Sequence, residues 1–113
     1  MLDNVSLRAV LDSLVEPVVF VDNHHIIRYV NPVAKKQYEE RGFKDLVGKS
    51  LMHCHNEESQ EKIKRIHDQL TVGSHEELVS VNDEGQRIFA RAVRDEGGQL
   101  LGYYERYERP TQS

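Results

Sequence analysis

The sequence predicts an α+β domain: one five-stranded antiparallel sheet with helices on one face, preceded by an amphipathic N-terminal helix. Two observations predict it. Strand-like runs come as a pair and then as a trio, with helical periodicity before the pair and between the two groups. The connections within each group are short and rich in turn residues, which makes each group a set of hairpins. No repeat or low-complexity stretch interrupts the order, and 113 residues are the size of one domain. The chain 1–113 is therefore read as a single unit, with a helix over 2–14, a core over 15–108 and a tail over 109–113.

Each element has a local reason. Leu7, Val10, Leu11 and Leu14 repeat at helical spacing, and Pro17 stops that helix. Its apolar stripe must be covered by the domain or by a partner chain. Residues 18–21 form a solid apolar run, the mark of a buried strand. Asp22, Asn23, His24 and His25 make a polar turn, and a second strand over 26–30 completes the hairpin. Asn31 and Pro32 suit the cap and first position of a helix over 33–41, which Gly42 ends. Residues 43–55 read as turns and short helical pieces. From 57 to 70 Ile63, Ile66, His67 and Leu70 share one helical face, and Gly73 closes it. Strands follow over 76–81, 87–94 and 100–107, divided by Asn82–Gly85 and Asp95–Gly98. Ala90 and Ala92 share one strand face and leave room for a cavity if that face meets the helices.

Composition narrows the function. Apolar residues make up 38% and charged residues 30%, the balance of a folded globular domain. The net charge of −4 and the absence of a basic stripe argue against nucleic-acid binding. No apolar run approaches the ~20 residues of a membrane helix. The N-terminal segment lacks the basic start of a signal peptide. A single cysteine excludes an internal disulfide and fits a cytoplasmic setting.

The stretch LMHCHNEES sets His53 and His55 around Cys54. Adjacent side chains diverge, so zinc would have to recruit His67 or His75 from elsewhere. A cysteine–histidine nucleophile pair would need an orienting group and an oxyanion hole, and neither is marked, so no enzyme activity is expected. Packing remains open, with Cys54 as a small buried side chain and His55 bonded to the backbone. His24 and His25 are expected to be solvated. The tyrosines of the last strand are expected to pack on the N-terminal helix or a partner, with Tyr103 and Tyr107 on one face and Tyr104 opposite. Arg87, Arg91 and Glu105 read as cross-strand pairs on a solvated face.

The ordered set resembles the PAS sensor family. VVFVDNHHIIRYVNPVAKKQY resembles the opening strands and first helix, LVGKSLMHCH the central turns, and RIFARAVRDEGGQLLGYYERYE the closing hairpin. Gly48-Lys49 and Cys54-His55 resemble a Gly-Arg…Cys-His pattern of PAS modules found with DUF438 or hemerythrin-like segments in bacterial and archaeal proteins. The resemblance implies the PAS fold and a signalling module. Such a module holds a small ligand between sheet and helices, or none, and signals through a homodimer or a partner protein. Residues 2–14 would serve as the dimer helix. Haem is the candidate cofactor, with His55 as the first axial ligand, then His67, and His53 behind them. Ile63 sits near the ligand position of the haem sensors that use the long helix. Met52 and Cys54 would flank the site, and an organic ligand against Met52, His55 and His67 stays open. LMHCHNEES does not resemble the reactive-cysteine segment of flavin photosensors. A ligand-free interaction or dimerisation module remains the second reading.

Overall fold

The computed structural model describes residues 3–108. The elements run α1 (Asn4–Asp12), β1 (Val19–Asp22), β2 (Ile27–Val30), α2 (Pro32–Glu40), a 3-10 turn (Leu51–Cys54), α3 (Glu57–Thr71), β3 (Glu76–Val81), β4 (Arg87–Arg94) and β5 (Leu100–Glu108). All strand pairs are antiparallel, and the sheet order is β2-β1-β5-β4-β3. The expected α+β architecture is the observed one, and its boundaries shift by one or two residues. The expected second strand loses Ile26, whose backbone bridges to Ser50 instead. Residue 2 and the expected tail over 109–113 lie outside the described residues.

Cross-strand partners lie on the same face, which sorts the sheet. Ala90 pairs with Glu105, Ala92 with Tyr103, and Tyr103 with Val21, and all of these face α3. Tyr29 pairs with Phe20 and Phe20 with Tyr104, on the opposite face. The core is the inner layer, where Val19, Val21, Ile27, Ala34, Leu46, Leu51, Leu70, Ala90, Leu100 and Tyr103 are buried.

Asn31 joins three elements, and it is fully buried. Its Oδ1 accepts from the Ala34 amide at 3.0 Å, capping α2, and from the Val18 amide at 3.0 Å, fixing the entry to β1. Its Nδ2 donates to the Glu16 carbonyl at 2.9 Å and to the Leu14 carbonyl at 3.4 Å. Both halves of the amide are therefore used, as a buried amide requires.

The edge of β2 is covered by the chain that follows α2. Ile27 N donates to Lys49 O at 2.9 Å, Gly48 N to Ile27 O at 2.7 Å, and Leu51 N to His25 O at 2.7 Å. This removes one open edge of the sheet and hangs the 3-10 turn beside the inner face. At the far end of α3, Arg94 on β4 donates to the carbonyls of Leu70 and Ser74 and binds the helix C-terminus. Among the described residues no helix is long and apolar enough to cross a membrane.

Two substitutions test this framework. Asn31→Ala removes a cap and strands buried backbone groups, and is expected to cost about 3 kcal/mol in urea unfolding. Gly102 lies where β5 crosses β1, and a Cβ there would meet the Val21 carbonyl oxygen at 2.1 Å. Gly102→Ala therefore forces backbone apart and is expected to cost about 3 kcal/mol in the same assay.

Candidate functional site

The inner face of the sheet, the 3-10 turn and α3 enclose a void of about 20 Å³. Leu51, Ile63, Ile66, Val79, Ala90, Tyr103 and Glu105 line it. The two small residues, Ala90 and Ala92, do face inward. The void holds about one water in its present shape.

Glu105 is the unexpected member. The sequence placed it with Arg87 and Arg91 on a solvated face, and the structure corrects this. Arg91 pairs with Glu76 at 3.3 Å, and Arg87 with Glu108, on the outer face. Glu105 stands opposite Ala90 and points inward. Burial raises its carboxyl above the ordinary 4.5, while the His55 ring, the Tyr107 hydroxyl and Arg41 offset part of that. The Tyr107 hydroxyl reaches its Oε2 at 3.5 Å, the outer limit of a hydrogen bond.

A polar cluster closes the end of this interior at the β1–β2 turn. His25 holds a left-handed backbone with φ 64°. Its Nδ1 shares a hydrogen bond of 2.9 Å with the Tyr103 hydroxyl. His67 on α3 packs edge-on against His25, with ring centroids 5.0 Å apart, and its Nε2–H donates to Asn23 Oδ1 at 3.1 Å. Asn23 Nδ2 donates onward to the Leu100 carbonyl at 2.7 Å. The turn thereby ties α3 to β5. Of the expected solvated pair, only His24 is exposed; His25 is half-buried in this cluster. Burial lowers the His25 pKa, and His67 and Lys64 push the same way.

The residues singled out from LMHCHNEES lie along the 3-10 turn and at its end. Ser50 caps this turn, with its Oγ accepting from the Met52 amide at 3.2 Å. His53 is exposed. The Met52 carbonyl accepts from Gln60 Nε2 at 3.0 Å. Cys54 is the last residue of the turn. His55 Nδ1 lies 2.9 Å from the Leu51 carbonyl, so that nitrogen carries the proton and Nε2 keeps its lone pair. Ile63 lines the void, and His67 stands outside it, in the polar cluster. His55 thus has the tautomer of an axial ligand. The void in its present shape is far smaller than the ~300–1,000 Å³ of pockets for drug-sized ligands. Among the described residues no group of three or more His, Cys, Asp or Glu side chains could hold a metal ion.

The outer face has two halves. One is a charge ladder, where Arg106 grips Glu76 through two bonds of 2.9 and 2.7 Å and lies over the Phe89 ring. The other is an apolar groove of about 430 Å³ between α1 and the sheet, lined by Leu11, Leu14, Val18, Phe20, Tyr29, Val93 and Tyr104. Helix α1 is held mainly by the Tyr29 hydroxyl, which donates to Asp12 at 2.5 Å. No residue of α1 is buried, and Leu7, Val10, Leu11 and Leu14 stay 40–53% exposed. Of the tyrosines expected against α1, Tyr104 lies in the groove, whereas Tyr103 and Tyr107 share the inner face, because β5 alternates sides.

The two interior titrations tilt stability in opposite directions. Glu105 has a raised pKa in the folded state, so its favourable contribution is complete below 4.5 and fades as pH rises through the folded value. His25 has a lowered pKa, so the folded state loses stability as pH falls below 6.5. Glu105→Gln is expected to raise the urea midpoint, more at alkaline than at acidic pH. His25→Asn tolerates the left-handed turn and is expected to flatten the loss on acidification below 6.5, whatever its effect on the midpoint itself.

Comparison with known proteins agrees with this architecture. No curated protein matches the chain. The C-terminal domain of a Streptococcus mutans protein superposes with a TM-score of 0.77 at 22% identity, covering 96% of this chain and 85% of that one. A sensory box sensor histidine kinase from Vibrio cholerae gives a TM-score of 0.63 at 20% identity, covering 94% and 90%. The Aer2 receptor from Vibrio cholerae, described as a dual PAS-heme oxygen sensor, gives 0.57 at 20% identity, covering 84% and 94%. The family described as PAS domain matches residues 7–108, almost the whole chain, and the protein therefore belongs to the PAS domain family.

Proposed function

We propose that this domain is a sensory module that admits a small molecule between α3, the 3-10 turn and the inner sheet face. The response passes through β5 to α1 and a second copy of the chain. The observation that carries this reading is the alternation along β5. Tyr103 and Glu105 line the interior, and Tyr104 between them lines the groove beneath α1. A shift of that strand moves both sides together. The uncovered stripe of α1 suits a helix whose packing is completed by a partner chain. The role is non-catalytic and fits a cytoplasmic protein. The motif pieces Gly48-Lys49 and Cys54-His55 support kinship with the PAS modules that accompany DUF438 or hemerythrin-like segments.

The narrowness of the void supports the second reading, a ligand-free dimerisation module with a closed core. Haem draws support from the His55 tautomer and from the Aer2 likeness, and is opposed by the same narrowness. Protein purified from cells fed a haem precursor is expected to show no Soret band. A band at unit stoichiometry, lost in His55→Ala or His67→Ala alone, would overturn that expectation and name the ligand. Sedimentation equilibrium tests the output surface. The wild type is expected to dimerise, and Leu11→Glu to be monomeric with unchanged secondary structure. A monomeric wild type would remove the second copy from the proposal.

A further inference from the structure

Resting on the reading of the interior as a ligand site, we propose that its ligand is a short primary alkylammonium ion. The ammonium head sits on the Glu105 carboxylate, and the alkyl chain lies against Leu51, Ile63, Ile66 and Val79.

Three observations lead there. The first is a carboxylate with spare acceptor sites. Glu105 is the one carboxylate lining the void, and among the described residues no cationic group comes within ion-pair distance of it. A carboxylate offers about four acceptor sites, and the protein fills one of them, at 3.5 Å. A half-buried carboxylate with one long hydrogen bond and no ion pair, lining a cleft, marks a functional candidate.

The second is the chemistry of the neighbours. Tyr107 and Tyr103 stand on either side of Glu105 on the inner face of β5. His55 and Arg41 act on it from the 3-10 turn and the end of α2, and Tyr38 of α2 faces Tyr107. With Nδ1–H committed to Leu51, neutral His55 offers an acceptor and no donor. Elements α3, β3 and β4 contribute Ile63, Ile66, Val79 and Ala90, none of them titratable. The side chains lining the void carry no N–H donor and include one carboxylate, which selects a ligand that brings donors and positive charge. An anion would meet Glu105 unfavourably.

The third is size. A void of about 20 Å³ takes an ammonium head, and a short chain requires only that Ile63 and Ile66 yield. A quaternary ammonium is too bulky and carries no N–H. Ala90 stands across from Glu105, so a larger side chain there fills the space the head would use.

Binding requires ionised Glu105, so affinity rises with pH and a proton is released on binding at mildly acidic pH. His55 faces the site in every variant, so the part of the pH dependence due to Glu105 is the part that Glu105→Gln removes.

The test is an NMR titration of the full isotope-labelled chain with ethylammonium, ethanol, acetate, tetramethylammonium and potassium chloride, at mildly acidic and mildly alkaline pH. Ethylammonium alone is expected to shift the amides of β5 and α3, and to bind more tightly at the higher pH. Glu105→Gln, which removes a half-buried charge and so folds, is expected to weaken it about tenfold or more. Ala90→Leu is expected to abolish it. If ethanol or acetate binds as well as ethylammonium, or Glu105→Gln changes nothing, the amine assignment falls and the ligand site stands. An equal response to potassium makes it an unselective cation site and also overturns the assignment. If no probe moves the interior amides and Ala90→Leu dimerises as the wild type does, the interior is plain core, and both this inference and the sensory reading fail.

Discussion

The fold depends on the hydrogen bonds of one buried amide. Asn31 faces the core between the end of β2 and the start of α2, where the chain leaves the sheet. In that position every polar atom needs a partner, since an unmatched one costs about as much as a sizeable part of the net stability. The partners it finds are the backbone of 14–18 on one side and of α2 on the other. As a result the link after α1 is pinned against the start of β1, and α2 is pinned against the inner layer. Helix α1 thus sits beside the outer face with little burial of its own, while the other helices cover the inside.

Strand β5 then turns a static arrangement into a connected one. It is central, paired with β1 and β4, so displacement of its side chains cannot be absorbed at a free edge. Three polar contacts hold the sheet, the β1–β2 turn and α3 together. Arg94 binds the helix C-terminus, Asn23 bridges His67 to the Leu100 carbonyl, and His25 meets the Tyr103 hydroxyl. Each is a polar contact at the rim of an apolar layer. Such contacts set geometry more than they add stability, because exposed or half-exposed bonds are worth only about 1 kcal/mol each. Between these contacts the wall is apolar and built from Ile63 and Ile66 against Val79 and Ala90.

The elements were legible in the sequence because each carries a local signal. Residues 76–81 and 87–94 fall within turn-bounded runs, and Asn31-Pro32 is a cap that any helix of this length would use. The site was not legible for two physical reasons. Parity along a strand assigns two faces but does not say which is inside, and one residue of error exchanges them. That is how Glu105 was grouped with Arg87 and Arg91, although the β4–β5 register sets it opposite Ala90. Its own neighbours held a clue, since Tyr103 and Tyr107 share its parity and two aromatics flanking an acid suggest burial. The second reason is distance. His25 meets Tyr103 across 78 positions and His67 meets Asn23 across 44, and no local pattern encodes either contact. A histidine in a polar turn reads as solvated until a helix is laid across it.

Glu105 decides what kind of interior this is. A core selected for stability alone would place an aliphatic residue opposite Ala90, filling the void and removing a desolvated carboxyl at one stroke. The chain instead keeps a small residue on β4 opposite an acid on the central strand β5, at the void. The Tyr107 hydroxyl compensates only part of the burial, at a distance where the bond is weak. An interior that is stable enough to fold, yet lined by a half-buried carboxylate with spare acceptor sites, suits a molecule that brings donors. Because the carboxylate belongs to the same strand as Tyr104, the proposed function would make sensing and dimer geometry two readings of one strand's position.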